Sequence, residues 1–218
     1  MSSLIDKYVD GYRRRRELTN PCTSRSWSFL LEPGRRHSYP ASASMRFTEL
    51  SLKGAYLVEL QPHEDNRGLF ARTFCAQEFR DQGLVETFVQ CNTSWNALEG
   101  TVRGMHYQLP PSCEVKLVRC TAGSLWDVLV DLRPESPSYL QHVGVELSAR
   151  NRLALYIPEM FAHGYQTLED GTEVFYQMSE FYAPERSTGL RYDDPKLGIR
   201  WPLSVSIMSE KDRRLELL

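Results

Sequence analysis

At 218 residues, 41% of them hydrophobic and 25% charged, the chain is long enough for one domain with a sizeable core and some appended chain. A net charge of −2 and a pI near 6.2 exclude bulk attraction to nucleic acid or an anionic membrane, so any nucleotide recognition must be local. The five cysteines (Cys22, Cys75, Cys91, Cys113, Cys120) are odd in number and scattered, without a CxxC or Cys/His zinc spacing. They read as reduced thiols of a cytoplasmic protein, and neither a secretory h-region nor an apolar run of the ~20 residues that span a bilayer is present.

Residues 1–44 carry eight Lys/Arg against four Asp/Glu and little period-two alternation. The run Arg13–Arg16 is read as a solvated helix face or a disordered arm rather than a nucleic-acid patch. Residues 1–44 are therefore an expected extension, disordered or partly helical, and 45–218 the folded domain. From Met45 onward the grammar is short strands and turns. Ala55–Leu60 reads as a strand ended by Pro62 and a polar turn over 64–68, and Leu69–Cys75 as the next. Ala76–Gly83 has helical composition and stops at a glycine. Phe88–Trp95, Val102–Gln108, Val115–Thr121 and 125–132 follow as strands, then 143–147, 153–157, 164–167 and 172–181. Many strands with one helix candidate predict an all-β sandwich or barrel. Strand–helix alternation and glycine-rich phosphate loops are missing, which argues against Rossmann and P-loop nucleotide domains.

Strand spacing puts Val102, Gly104, His106 and Gln108 on one face, and Glu114, Lys116, Val118 and Cys120 on another. Polar groups set between apolar ones make a poor packed core but suit the inside of a small ligand-holding barrel. His106 is the sharper candidate for a general base, against the plainer reading of a hydrogen-bonded structural histidine. Lys116 alone reads as a snorkelling lysine, Tyr176 as a core aromatic, and Asp212 as an exposed tail acid. A metal is disfavoured, because the residue two after His106 is Gln108 and the HxH pair of metal-binding β barrels is absent.

The ordered segments 65–70, 88–94, 103–108 (Arg-Gly-Met-His-Tyr-Gln), 116–120, 127–133, 157–164, 182–185, 193–195 and 199–202 resemble the dTDP-4-dehydrorhamnose 3,5-epimerase family over residues 45–218. That resemblance implies a cupin jelly-roll barrel with one or two short helices, here with an N-terminal extension. It implies an isomerase that needs no cofactor, binds a nucleotide diphosphate-sugar and forms a homodimer. By position it implies His106 as the base, Asp212 as its carboxylate partner, Tyr176 as the acid on the opposite face of the sugar, and Lys116 facing the developing enolate oxygen. Arg67, Phe70, Gln90, Asn92, Arg103, His163 and Tyr182 match positions that hold the substrate. Arg72 stands where the family often has a glutamate touching the thymine, and a cation cannot accept the thymine N–H hydrogen bond. The alternatives are a 3-epimerase using the same residues, an epimerase for a differently based sugar nucleotide, and a non-catalytic binding cupin. Gln108 argues against the related 3,4-ketoisomerases, which tend to carry a second histidine there.

Overall fold

The computed structural model describes residues 44–218, so the arginine run and the expected N-terminal extension lie outside the described residues. The chain order is β1 (Arg46–Glu49), β2 (Tyr56–Glu59), β3 (His63–Asp65), β4 (Gly68–Phe70), α1 (Ala76–Asp81), β5 (Gln90–Asn96), β6 (Val102–Gln108) and β7 (Lys116–Ala122). It continues with β8 (Ser124–Asp131), β9 (His142–Ser148), β10 (Ala154–Ile157), β11 (Phe161–Thr167), β12 (Thr172–Met178), β13 (Ser187–Gly189) and α2 (Glu210–Arg213). The strands build a six-stranded sheet, β1-β2-β10-β7-β12-β5, and a five-stranded sheet, β13-β6-β11-β8-β9, with β3-β4 as a separate hairpin. The expected all-β jelly roll with two short helices is what forms.

Alternation along each strand decides what faces inward. Val118, Val174 and Leu155 of the larger sheet meet Leu125, Leu129 and Phe161 of the smaller one between the two layers. Their neighbours in sequence pack outward. Leu117 and Tyr156 lie under Phe79 of α1, and Val128, Val130 and Ala162 lie under Leu190, Leu197 and Trp201 from the C-terminal segment. Both faces of β7 and β8 are covered, so apolar residues stand at successive positions there, as in Leu117-Val118 and Val128-Leu129-Val130. Each fully buried Leu, Val or Phe contributes roughly 1.5–3 kcal/mol relative to exposure.

Helix α1 has six residues, too few to be stable alone. Fully buried Phe79 anchors it among the rings of Phe47 (5.1 Å between centroids), Phe74 (4.9 Å) and Phe88 (6.2 Å). The chain leaves it at Gly83, whose φ of +70° suits glycine.

The expectation of one strand over Leu69–Cys75 is corrected. Only Gly68–Phe70 pairs, with His63–Asp65, and residues 71–75 form no strand. Among the described residues the hairpin has no third strand, and residues 62–70 are all exposed, so nothing described supports a longer ladder. The three-residue β3 and β13 carry too little alternation to be read, and β13 exists through its pairing with β6. No helix among the described residues is long and apolar enough to cross a membrane.

At the end of β8 the fully buried Asp131 carboxylate accepts hydrogen bonds from Arg133 Nε (2.9 Å) and Nη2 (2.7 Å), and from the hydroxyls of Ser136 (2.6 Å) and Ser138 (2.7 Å). Burial works to raise its pKa, but these bonds and the Arg133 N–H outweigh it and hold the carboxyl well below its ordinary value. A depressed folded-state pKa gives stability that is present above the unfolded value of about 3.9 and is lost as pH falls. Asp131→Asn should therefore cost about 2–4 kcal/mol at pH 7, with a clearly smaller gap to wild type at about pH 2.5, below the unfolded carboxyl's pKa. Urea unfolding at both pH values checks this, and a gap that stayed constant would place the cost in packing rather than charge.

Candidate active site

A cavity of about 720 Å³ opens within the barrel, large enough for a sugar nucleotide's reacting half. Arg103 and His106 from β6, Lys116 from β7, His163 from β11, Tyr176 from β12, Tyr182 beyond β12 and Asp212 from α2 all line it. These seven were assigned to the site by sequence position, and the fold brings them together. Arg67, Phe70, Arg72, Gln90 and Asn92 are not among its lining residues.

The centre of the arrangement is the pair His106–Asp212. Asp212 Oδ1 lies 2.7 Å from His106 Nε2, and Asp212 Oδ2 is 3.4 Å from the Gly104 N–H. Asp212 is buried rather than an exposed tail acid. Its short helix packs back on β6, and the Ser209 hydroxyl accepts the Asp212 N–H at 3.0 Å as N-cap. Burial pushes the Asp212 pKa up, but the bond and charge of His106, with the Gly104 N–H and Ser209, bring it below the usual carboxylate value. An ionised carboxylate on Nε2 keeps the proton there and leaves the Nδ1 lone pair available to abstract a proton.

Arg103 and His106 reach the same cavity although they are three residues apart. Strict alternation would send them to opposite faces. The β6–β11 ladder is interrupted: His106 pairs with His163 and Arg103 with Tyr165, so one extra residue sits on β6. Gly104, at φ +122°, makes this bulge possible. A Cβ there would meet Gly164 Cα at 2.5 Å and the His163 carbonyl oxygen at 2.8 Å.

Across the cavity, burial and the neighbouring Tyr165 raise the pKa of the Tyr176 phenol above its ordinary value, with Arg103 opposing. The hydroxyl therefore holds its proton at neutral pH and can donate it. Lys116 Nζ lies 2.7 Å from Glu114 Oε1 and 3.4 Å from the His106 carbonyl oxygen. His163, opposite His106, is held through Nε2 by the fully buried Asp127 at 2.9 Å.

The polar β5 residues support the wall. Gln90 Oε1 accepts the Tyr182 N–H at 3.1 Å, and the Gln90 amide donates to Asn92 at 3.2 Å. Gln108 is a buried tie rather than a ligand to anything in the cavity. Its amide donates to the Ser112 carbonyl at 2.8 Å and accepts the Ala183 N–H at 2.7 Å, fixing the segment that carries Tyr182. Arg72 pairs with Glu78, whose other carboxylate oxygen accepts the Met45 N–H at 2.7 Å. Arg67 folds onto its neighbour Asp65 on the exposed hairpin, and Phe70 is 74% exposed there.

Sequence reading passed over three cavity-lining residues and one behind the wall, and it placed Glu114 on an inward face without giving it a role. Asn96 takes the Arg103 Nε–H at 2.7 Å and could have been found as the next member of the polar stripe Gln90, Asn92, Ser94. Tyr165, bonded to Ser94 at 2.9 Å, lies two residues past His163. Glu114 shares the face of Lys116. Lys211 adjoins Asp212 and carries no distinguishing signal. Asp127, behind His163, is an acid at an inward position of an apolar strand.

Comparison with known proteins identifies a family for the chain and its fold. The profile of the family described as dTDP-4-dehydrorhamnose 3,5-epimerase covers residues 49–218. The dTDP-4-dehydrorhamnose 3,5-epimerase of Methanothermobacter thermautotrophicus is 44% identical over 174 residues, which is 78% of this chain and 93% of that protein. The fold superposes on the crystal structure of the same enzyme from Bacillus anthracis with TDP and PPi bound, with TM-score 0.78, 38% identity, and coverage of 80% of this chain and 100% of that one. It also superposes on the Legionella pneumophila dTDP-6-deoxy-D-glucose-3,5-epimerase in complex with dTDP-4-keto-L-rhamnose, with TM-score 0.75, 35% identity, and coverage of 79% and 92%.

Proposed function

The chain belongs to the dTDP-4-dehydrorhamnose 3,5-epimerase family, and from that premise we propose that it inverts C3 and C5 of a dTDP-linked 4-keto-6-deoxyhexose. Both hydrogens are α to the C4 carbonyl, so removing either leaves an enolate. Inversion needs a base on one face of the ring and an acid on the other. The observation that carries the reading is His106 held at 2.7 Å by the buried Asp212, in one cavity with Tyr176 and Lys116.

His106 takes the proton at Nδ1 while Asp212 stabilises the imidazolium that forms. Lys116 donates to the enolate oxygen, a contribution of the kind worth about 3 kcal/mol where a preorganised donor meets developing charge. Tyr176 returns a proton from the other face. Arg103, oriented by Asn96, has the forked geometry that suits a diphosphate, with His163 and Tyr182 completing the substrate contacts and Gln90 and Asn92 acting from the wall that holds Tyr182. Arg67, Phe70 and Arg72 serve a second copy of the chain in a homodimer. The exposed, self-paired hairpin that carries Arg67 and Phe70 supports this. Residues 45–218 form the catalytic unit in this reading, and residues 1–44 an extension. The free thiols of Cys75, Cys91, Cys113 and Cys120 fit a cytoplasmic enzyme.

Proton NMR of dTDP-4-keto-6-deoxyglucose incubated with the protein in D2O tests the proposal. Deuterium at both C3 and C5 is expected. Exchange at C3 alone would establish a 3-epimerase instead. Failure with this substrate and with CDP-, UDP- and GDP-linked 4-keto sugars would overturn the catalytic reading in favour of a binding protein.

A further inference from the structure

We infer that Glu114 is a positioning residue for this reaction: its carboxylate clamps the Lys116 ammonium so that one N–H remains aimed into the cavity. The inference rests on the epimerase reading above, in which Lys116 meets the enolate oxygen. The two residues are neighbours on one face of the chain entering β7, and both line the cavity. Their charged atoms are 2.7 Å apart, with side chains only 4% (Glu114) and 9% (Lys116) exposed, so the pair sits in protein rather than in solvent. A buried ion pair of this kind is held by its geometry, and removing one partner leaves the other charge uncompensated.

An ammonium has three N–H donors. One meets Glu114 and a second points at the His106 carbonyl oxygen at 3.4 Å, which leaves the third for a ligand. The backbone beneath is fixed as well. The Val115 N–H donates to the Ser179 hydroxyl at 2.8 Å, and the Ser179 N–H returns to the Val115 carbonyl at 2.9 Å. Glu114 therefore cannot drift away from the lysine without unpicking the strand.

The charges around the lysine explain why a carboxylate belongs there. Arg103 on β6 and Lys211 on α2 are cations lining the same space, with His106 on β6 and His163 on β11. Tyr107 on β6, Tyr165 on β11, Tyr176 on β12 and Tyr182 beyond it are the remaining titratable neighbours. Among the described residues lining the cavity, the carboxylates are Glu114 and Asp212, and Asp212 is engaged by His106. Without Glu114, a flexible four-carbon side chain carrying a charge repelled by Arg103 and Lys211 would be drawn toward the cavity mouth and away from the reacting carbon. Glu114 touches no reacting atom in this scheme and acts through Lys116.

The test uses the full-length protein and dTDP-4-keto-6-deoxyglucose. Glu114→Gln keeps the shape and removes the charge. It should lower kcat about tenfold while changing KM less than about threefold, because the enolate oxygen that Lys116 meets develops only in the transition state. In Lys116→Ala the same Glu114→Gln change should cost less than about twofold, since there is then nothing for Glu114 to position. The ¹H–¹⁵N signal of the Lys116 ammonium should be present in wild type and lost in Glu114→Gln. With five lysines in the chain, it is assigned by its absence from Lys116→Arg. Glu114→Asp, which keeps the charge one methylene further back, should retain the signal and recover part of kcat, and it carries the test if the glutamine variant does not fold. Unchanged kcat in both carboxylate variants would overturn the inference, as would additive losses in the double variant. Absent exchange in wild type would fail the epimerase reading alone, because the ammonium signal reports the Glu114 contact whether or not the protein turns over.

Discussion

His106→Ala should lower kcat by about 10³-fold and abolish deuterium incorporation at both C3 and C5, the loss expected when a positioned general base is removed. The residue stands half-exposed at the cavity wall, so its truncation opens little of the core. Wild-type thermal stability within a few degrees is the accompanying expectation. Asp212 makes the prediction sharper. Asp212→Asn can present an N–H to Nε2, which moves the imidazole proton to Nδ1 and removes the lone pair that should attack the substrate. It should then lose about 10²-fold or more in kcat despite an intact histidine. Combining His106→Ala with Asp212→Asn should cost no more than His106→Ala alone, because the carboxylate acts through the ring. Exchange at either carbon that survived His106→Ala would remove His106 from the role of base for that centre.

Gly104→Ala carries the largest expected structural effect. At φ +122° an L-side chain is strained, and the added Cβ would lie 2.5 Å from Gly164 Cα and 2.8 Å from the His163 carbonyl oxygen. Both obstacles are backbone of β11, so no rotamer change relieves them. The approach is reciprocal, since a Cβ on Gly164 would meet the Arg103 carbonyl oxygen at 2.8 Å. Relief requires β6 and β11 to separate at the bulge that sends both Arg103 and His106 into the cavity. A destabilisation of about 3–5 kcal/mol is expected, on the order of 10 °C in Tm for a chain of this size. Whatever folds should be inactive. Thermal unfolding and the deuterium assay read the two consequences separately, and a stable, active alanine variant would show that β6 and β11 can open here without losing the site.

The sequence by itself determined the all-β class, because alternation over 102–108, 116–122, 124–131 and 142–148 leaves no helical stripe to bury. The ordered motifs, Arg103–Gln108 and 157–164 above all, carried the family, and with it His106, Lys116, Tyr176 and Asp212. Their meeting was a matter of tertiary structure. Asp212 stands 106 positions from His106 on a four-residue helix that exists because Ser209 caps it and β6 receives it. A tail acid with those neighbours looks exposed until the fold buries it. Leu69–Cys75 has the composition of a strand, yet only three of its neighbourhood's residues, Gly68–Phe70, pair, because strand formation needs a partner and the described residues supply only β3.

The bulge on β6 was equally hidden. Period-two reading groups Val102, Gly104, His106 and Gln108, and it has no means of placing Arg103 beside His106. That placement follows from a backbone contact between Gly104 and Gly164 on different strands, and a glycine announces freedom of conformation without saying what comes close to it. Local chemistry is thus written in the order of residues. Which distant group meets it is decided by packing, where the separation along the chain no longer counts.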